Sequence, residues 1–177
     1  MAALSVLASC STYSPPPPLP PPRMAAAPLP SIQRQRSFTI PRFDWPLAQG
    51  KLSSGFGLRR GAMHEGVDIA APVGTPVMAA ANGQVIFAGR MHGYGRIVII
   101  QHADHYVTVY AHDSSNLVEP GQIVRRGQVI GYVGRSGHTT GANLHFEVRH
   151  NNVASNPMLY LPPIRTTSDT RLAGIGY

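Results

Sequence analysis

Apolar and polar residues alternate along Asn143-Leu144-His145-Phe146-Glu147-Val148-Arg149. A period of two is that of a β-strand, so Leu144, Phe146 and Val148 face a core while Asn143, His145 and Glu147 line the other side. Five more short runs, rich in β-branched residues, are punctuated by Gly or Pro: Pro76 to Ala81, Gln84 to Ala88, Arg96 to His102, Tyr106 to His112 and Gln128 to Val133. No segment sustains the 3.6-residue period of a helix. The pattern predicts an all-β domain with antiparallel pairing. In the run ending at His112, alternation puts Val107, Val109 and Ala111 on one face and Thr108, Tyr110 and His112 on the other. His112 is expected at a strand end, followed by a turn over Asp113-Ser114-Ser115-Asn116.

The folded domain is expected over residues 43–162, beginning at Phe43-Asp44-Trp45-Pro46. With 177 residues, 43% of them hydrophobic, the chain buries one core rather than two. Its 18 Gly and 17 Pro favour short strands and turns. Residues 11–42 are dense in proline, which blocks helix and sheet ladders and favours an extended, semi-rigid spacer. Residues 163–177 have no pattern and are expected to be a flexible tail.

The net charge is +7, carried by Arg almost alone, with Lys51 the single lysine. Such a balance suits an anionic partner: cell-wall polymer, lipopolysaccharide or acidic membrane. No nucleic-acid motif and no basic run interleaved with aromatics is present, so no nucleic-acid partner is expected.

Residues 1–10, MAALSVLASC, are apolar and end at the single cysteine, which has no partner for an intramolecular disulfide. Leu7-Ala8-Ser9-Cys10 resembles the lipobox of bacterial lipoproteins, which implies lipidation at Cys10. The run is shorter than a usual signal and has no basic start. A membrane partner is then expected through a lipid anchor rather than a span, since no apolar run approaches the ~20 residues of a transmembrane helix.

The chemistry centres on histidine. His64-Glu65-Gly66-Val67-Asp68 superficially looks like a helical His-Glu-x-x-His zinc motif, but its fifth residue is Asp and its flanks are rich in Gly and Pro. A bent loop entering a strand fits better. Fully extended, His64 and Asp68 would stand roughly 13 Å apart, too far for one ion, and Gly66 supplies the freedom to bend. With His145 they make a His-Asp-His set, and three protein ligands with a fourth position for water is the pattern of a catalytic zinc site. Any one of the eight histidines taken alone is more often a surface or hydrogen-bonded residue.

SGFGLRRGAMHEGVDIAAPVGTPVMAAANGQVIFAGRMHGYGRIVIIQH, YVTVYAHDSS, VEPGQIVRRGQVIGYVGRSGHTTG and NLHFEVRHNNVASNPMLYL together resemble the lysostaphin-type (LytM-type) zinc endopeptidases that cut peptide cross-links of bacterial peptidoglycan. The resemblance runs from about Asp44 to Leu161. It implies a two-sheet antiparallel β domain with a groove, of the duplicated-hybrid-motif type. It implies one zinc ion held by His64, Asp68 and His145, with His112 assisting catalysis. It implies peptidoglycan as partner, the periplasmic cell envelope as location, outer-membrane anchoring if Cys10 is lipidated, and a monomer. The family has a second catalytic His where this chain has Asn143. Asparagine can donate to an oxyanion but cannot take up and release a proton at neutral pH, which leaves His112 as the one general base.

In the groove, Arg59 and Arg60 are candidates for binding substrate carboxylates, Tyr94 for a wall, and His138 for a stand-in near Asn143. Two functions stay open. One is a zinc endopeptidase; the other is a catalytically weakened or inactive relative that binds the wall and activates a cell-wall amidase, or another division or envelope protein. A third reading fails: VEPGQIVRRGQVIGYVG resembles the hairpin of lipoyl and biotinyl carriers, which need a lysine at the tip, and Lys51 is far from it in sequence.

Overall fold

The structure, a computed structural model, describes residues 41–59 and 61–163. The lipobox cysteine Cys10, most of the proline-rich stretch, Arg60 and residues 164–177 lie outside the described residues.

Twelve strands are present among the described residues: β1 (Lys51–Ser54), β2 (Gly57–Arg59), β3 (Ala62–His64), β4 (Val67–Ala70), β5 (Pro76–Met78), β6 (Gly83–Met91), β7 (Gly95–Gln101), β8 (Tyr106–Asn116), β9 (Ile123–Val124), β10 (Val129–Val133), β11 (Asn143–His150) and β12 (Val153–Ser155). All pairings are antiparallel, as the pattern predicts. Ten strands form one sheet, whose main path runs β1-β4-β11-β8-β7-β6-β9; β10 pairs with β8 and β5, and β12 with β11. A second sheet is the β2-β3 hairpin. The chain is thus all-β and two-sheeted, with the sheets of very unequal size.

The apolar alternation does the packing. Val67 and Ile69 of β4, Val98 and Ile100 of β7, Tyr110 of β8, and Leu144, Phe146 and Val148 of β11 form the main core, closed at one end by Phe43. Burying side chains of this size stabilises by about 1.5–3 kcal/mol each. On the other side of the sheet Ile97, Val109 and Ala111 form a smaller cluster with Phe87, Tyr94 and Ile99. Both faces of β8 are therefore buried. Thr108 and Tyr110 lie inside the main core, where the Tyr110 hydroxyl accepts from the Ala80 N–H at 2.8 Å and from Thr108 Oγ1 at 3.0 Å.

The expected turn over Asp113 to Asn116 is instead the second half of β8. Its pairing with β7 slips between Ile97↔Ala111 and Arg96↔Asp113, leaving His112 as the extra residue of a bulge. His112 has φ 67°, a left-handed value uncommon outside glycine.

Candidate metal centre

β11 is the central element of the site. His145 pairs directly with Asp68 of β4 on one side and with Ala111 of β8 on the other. Directly opposed residues share a face, so Asp68 is delivered to His145 by register alone. The neighbours Leu144 and Phe146 are fully buried in the core.

His64 arrives from the end of the β2-β3 hairpin. The turn between β3 and β4 brings its Nε2 to 3.2 Å from Asp68 Oδ1 and 3.1 Å from His145 Nδ1. Nδ1 of His145 is 2.8 Å from Asp68 Oδ1. Gly66 sits at a bend between β3 and β4, as expected, and has a second task. A Cβ there would collide with the Phe146 carbonyl and stand 2.9 Å from the His145 ring, so glycine is required because the turn lies against β11.

These three atoms, separated by 2.8–3.2 Å, approach the edge lengths of a tetrahedron whose ligand bonds are about 2.0–2.1 Å. The outer nitrogens agree. His64 Nδ1–H donates to the Gly55 carbonyl at 2.7 Å and His145 Nε2–H to Glu147 Oε1 at 3.0 Å, which leaves His64 Nε2 and His145 Nδ1 as the atoms a metal would take. Burial disfavours a charged His145, but its hydrogen bonds to Asp68 and Glu147 outweigh that and push its pKa up to about 9. A proton on Nδ1 thus occupies the place a cation would take. Burial likewise works against the Asp68 carboxylate, yet the His145 hydrogen bond and nearby positive charge hold it below its usual value. Two imidazoles and a carboxylate in this geometry fit zinc better than magnesium or calcium.

The set opens into a groove of about 730 Å³ whose walls include Arg59, Tyr94, His112, His138, Thr139 and Asn143. The His112 ring centroid is 5.9 Å from that of His145. Its Nδ1–H donates to the Ser136 carbonyl at 2.8 Å, and burial lowers its pKa against the pull of that bond. His112 is therefore neutral near pH 7, with Nε2 free to accept a proton. Asn143 lines the groove, with its side chain 2.9 Å from Thr139 Oγ1.

The other candidates are placed differently. Arg59 NH2 stands 3.5 Å from Asp68 Oδ2 and its other end reaches Ser54 Oγ, so it pairs with the carboxylate of the candidate set. Tyr94 walls the groove, but its hydroxyl donates to Glu147 at 2.8 Å. Burial first, and the Glu147 charge second, push its pKa up to about 12. His138 lies at the rim against His92, ring centroids 5.7 Å apart, outside the ligand set. Glu147, Ser136 and Thr139 were not among the residues expected to serve the site. Only Glu147 carried a signal, its place on the His145 face.

Residues 62–157 match Peptidase family M23. The DD-carboxypeptidase/endopeptidase Mpg of Neisseria meningitidis is 45% identical over 133 residues, covering 72% of this chain and 30% of that protein. The murein hydrolase activator NlpD of Escherichia coli is 40% identical over 127 residues, covering 71% and 33%. A zinc containing peptidase from Vibrio cholerae superposes with a TM-score of 0.63 at 35% identity, covering 66% of this chain and 39% of that one. The chain spans about a third of the length of the two curated relatives. With more than half of its residues matched and the His-Asp-His set inside the matched span, the chain belongs to peptidase family M23.

Proposed function

We propose that the chain is a zinc-dependent endopeptidase that hydrolyses peptide cross-links of bacterial peptidoglycan. The observation that carries this is His112: an imidazole whose Nδ1 is held by the Ser136 carbonyl in the same groove as His64, Asp68 and His145. A zinc ion held by those three residues would polarise a scissile carbonyl and lower the pKa of a water. His112 Nε2 takes up the proton released by the attacking water and returns it to the leaving amine. The Asn143 amide donates to the developing oxyanion, a role that needs no titration. Arg59 stands against the second oxygen of Asp68 and adds, after His145 and His64, to the positive charge that favours that carboxylate. The basic chain suits an anionic cell wall. A cell-envelope location agrees with the likeness to a murein hydrolase activator, and lipidation of Cys10 with the lipobox-like Leu7-Ala8-Ser9-Cys10.

Asn143 supports a second reading. Where family members carry a second histidine this chain has none, and a relative at 40% identity is a murein hydrolase activator, so the groove could serve to bind the wall and an amidase. Metal analysis of the purified chain, with release of soluble peptides from peptidoglycan, separates the two. Stoichiometric zinc and cleavage that His145→Ala and a chelator both abolish support the enzyme. Zinc without cleavage supports the activator, and an added amidase that then gains activity would establish it.

A further inference from the structure

A histidine can offer a metal only one of its two nitrogens, and something must hold the other. Nε2 of His145 faces Glu147, whose side chain is fully enclosed. Enclosing a carboxylate costs several kcal/mol unless donors compensate it, so packing alone does not account for it. Three donors converge on it. Oε1 accepts from His145 at 3.0 Å and from the Tyr94 hydroxyl at 2.8 Å, and Oε2 accepts from Arg149 Nε at 2.6 Å. Arg149 extends the chain of contacts, with NH2 2.7 Å from Glu65 Oε2 and 3.3 Å from the Tyr94 hydroxyl.

The placement of these partners matters. Glu65 directly follows His64, and Arg149 lies on the strand that carries His145. The network therefore ties the turn bearing one metal-ligand histidine to the strand bearing the other. Both oxygens of Glu147 are committed to donors, so it does not reach the metal. We infer that Glu147 is a positioning residue that selects Nδ1 of His145 as the ligand atom and holds the ring in place, with Tyr94, Arg149 and Glu65 fixing Glu147 in turn. This rests on the metal reading of the site and not on peptide cleavage.

The test is zinc affinity of the full chain, measured by competition with a chromophoric chelator at one pH, beside the melting temperature of the metal-free chain. Glu147→Gln keeps the shape, but an amide that accepts from His145 turns its NH2 toward the Arg149 donor. Zinc affinity is expected to fall about 10- to 100-fold in a variant that still folds. Val148→Ala, a truncation on the core face of the same strand, is expected to lower the melting temperature with zinc affinity unchanged. If Glu147→Gln does not fold, Tyr94→Phe removes a single donor and is expected to cost about fivefold. Affinity within twofold of the parent in the folded variants would overturn the role of Glu147, as would an equal loss in Val148→Ala. A parent chain that binds no zinc would overturn the metal reading as well.

Discussion

The Ser136 carbonyl lies 2.8 Å from Nδ1 of His112. That bond settles the tautomer of the imidazole, and the Ser136 hydroxyl anchors the loop by accepting from the Arg96 N–H and donating to the Asp113 carbonyl, each at 2.8 Å. If His112 is the general base, His112→Ala lowers the rate of peptide release about 100- to 10,000-fold. Zinc content should not change, because His112 is outside the ligand set. Parallel metal analysis and turbidity assays on peptidoglycan read both quantities, and loss of zinc in the variant would refute the separation of roles.

Asn143 offers donors and no base. Asn143→Ala is expected to reduce cleavage about 100- to 1,000-fold through loss of an oxyanion donor. Asn143→His is expected to raise the rate and to make it depend on a second titrating group, visible as an added limb in the pH profile. A parent and an Asn143→Ala variant of equal rate would remove Asn143 from the chemistry.

Zinc uptake should depend on pH through His145. Its metal-free pKa is pushed up to about 9, since hydrogen bonds to Asp68 and Glu147 outweigh burial. Zinc must displace that proton, so apparent affinity rises about tenfold per pH unit between pH 7 and pH 9 and levels off above. Chelator competition at pH 7 and pH 8 gives the slope, and a flat response contradicts a protonated His145.

Asp113 is fully buried and, among the described residues, neither of its carboxylate oxygens has a hydrogen-bond partner. Burial pushes its pKa up to about 8. The native state then keeps the proton that the unfolded chain gives up near pH 4. Stability from this group is complete below about pH 4 and declines as the pH rises to about 8, by on the order of 5 kcal/mol in all. Asp113→Asn removes the titration, and its denaturation midpoint should vary less between pH 5 and pH 8 than that of the parent. Parallel pH dependences would rule out a buried acid at this position.

The strand at residues 143–149 and the candidate metal residues were legible because alternation and side-chain chemistry are short-range rules. Alternation places Leu144, Phe146 and Val148 in the core and His145 on the other face, whereas the Asp68 register comes from the long-range pairing of β4 with β11 and could not be read from the sequence. The bend at Gly66 was legible, but its second constraint was not, since the backbone that crowds it comes from 80 residues further along. Tyr94 was read as a groove wall, and its hydroxyl is held by Glu147, a partner on a different strand.

Sequence by itself determined the all-β class, the positions of the central strands and the three residues that are candidates for a metal, because a two-residue period and the chemistry of His and Asp are local properties. The place of His112 was decided by tertiary structure. Strict alternation puts it on the Tyr110 face, inside the main core. A bulge against β7, with φ 67° at His112, carries it to the face of Ala111 and His145 instead. Such a bulge is held by contacts from the Tyr94 and Ser136 loops, whose backbones grip His112 through its N–H, carbonyl and ring. Those loops are distant in the chain, and no periodicity along β8 can register them.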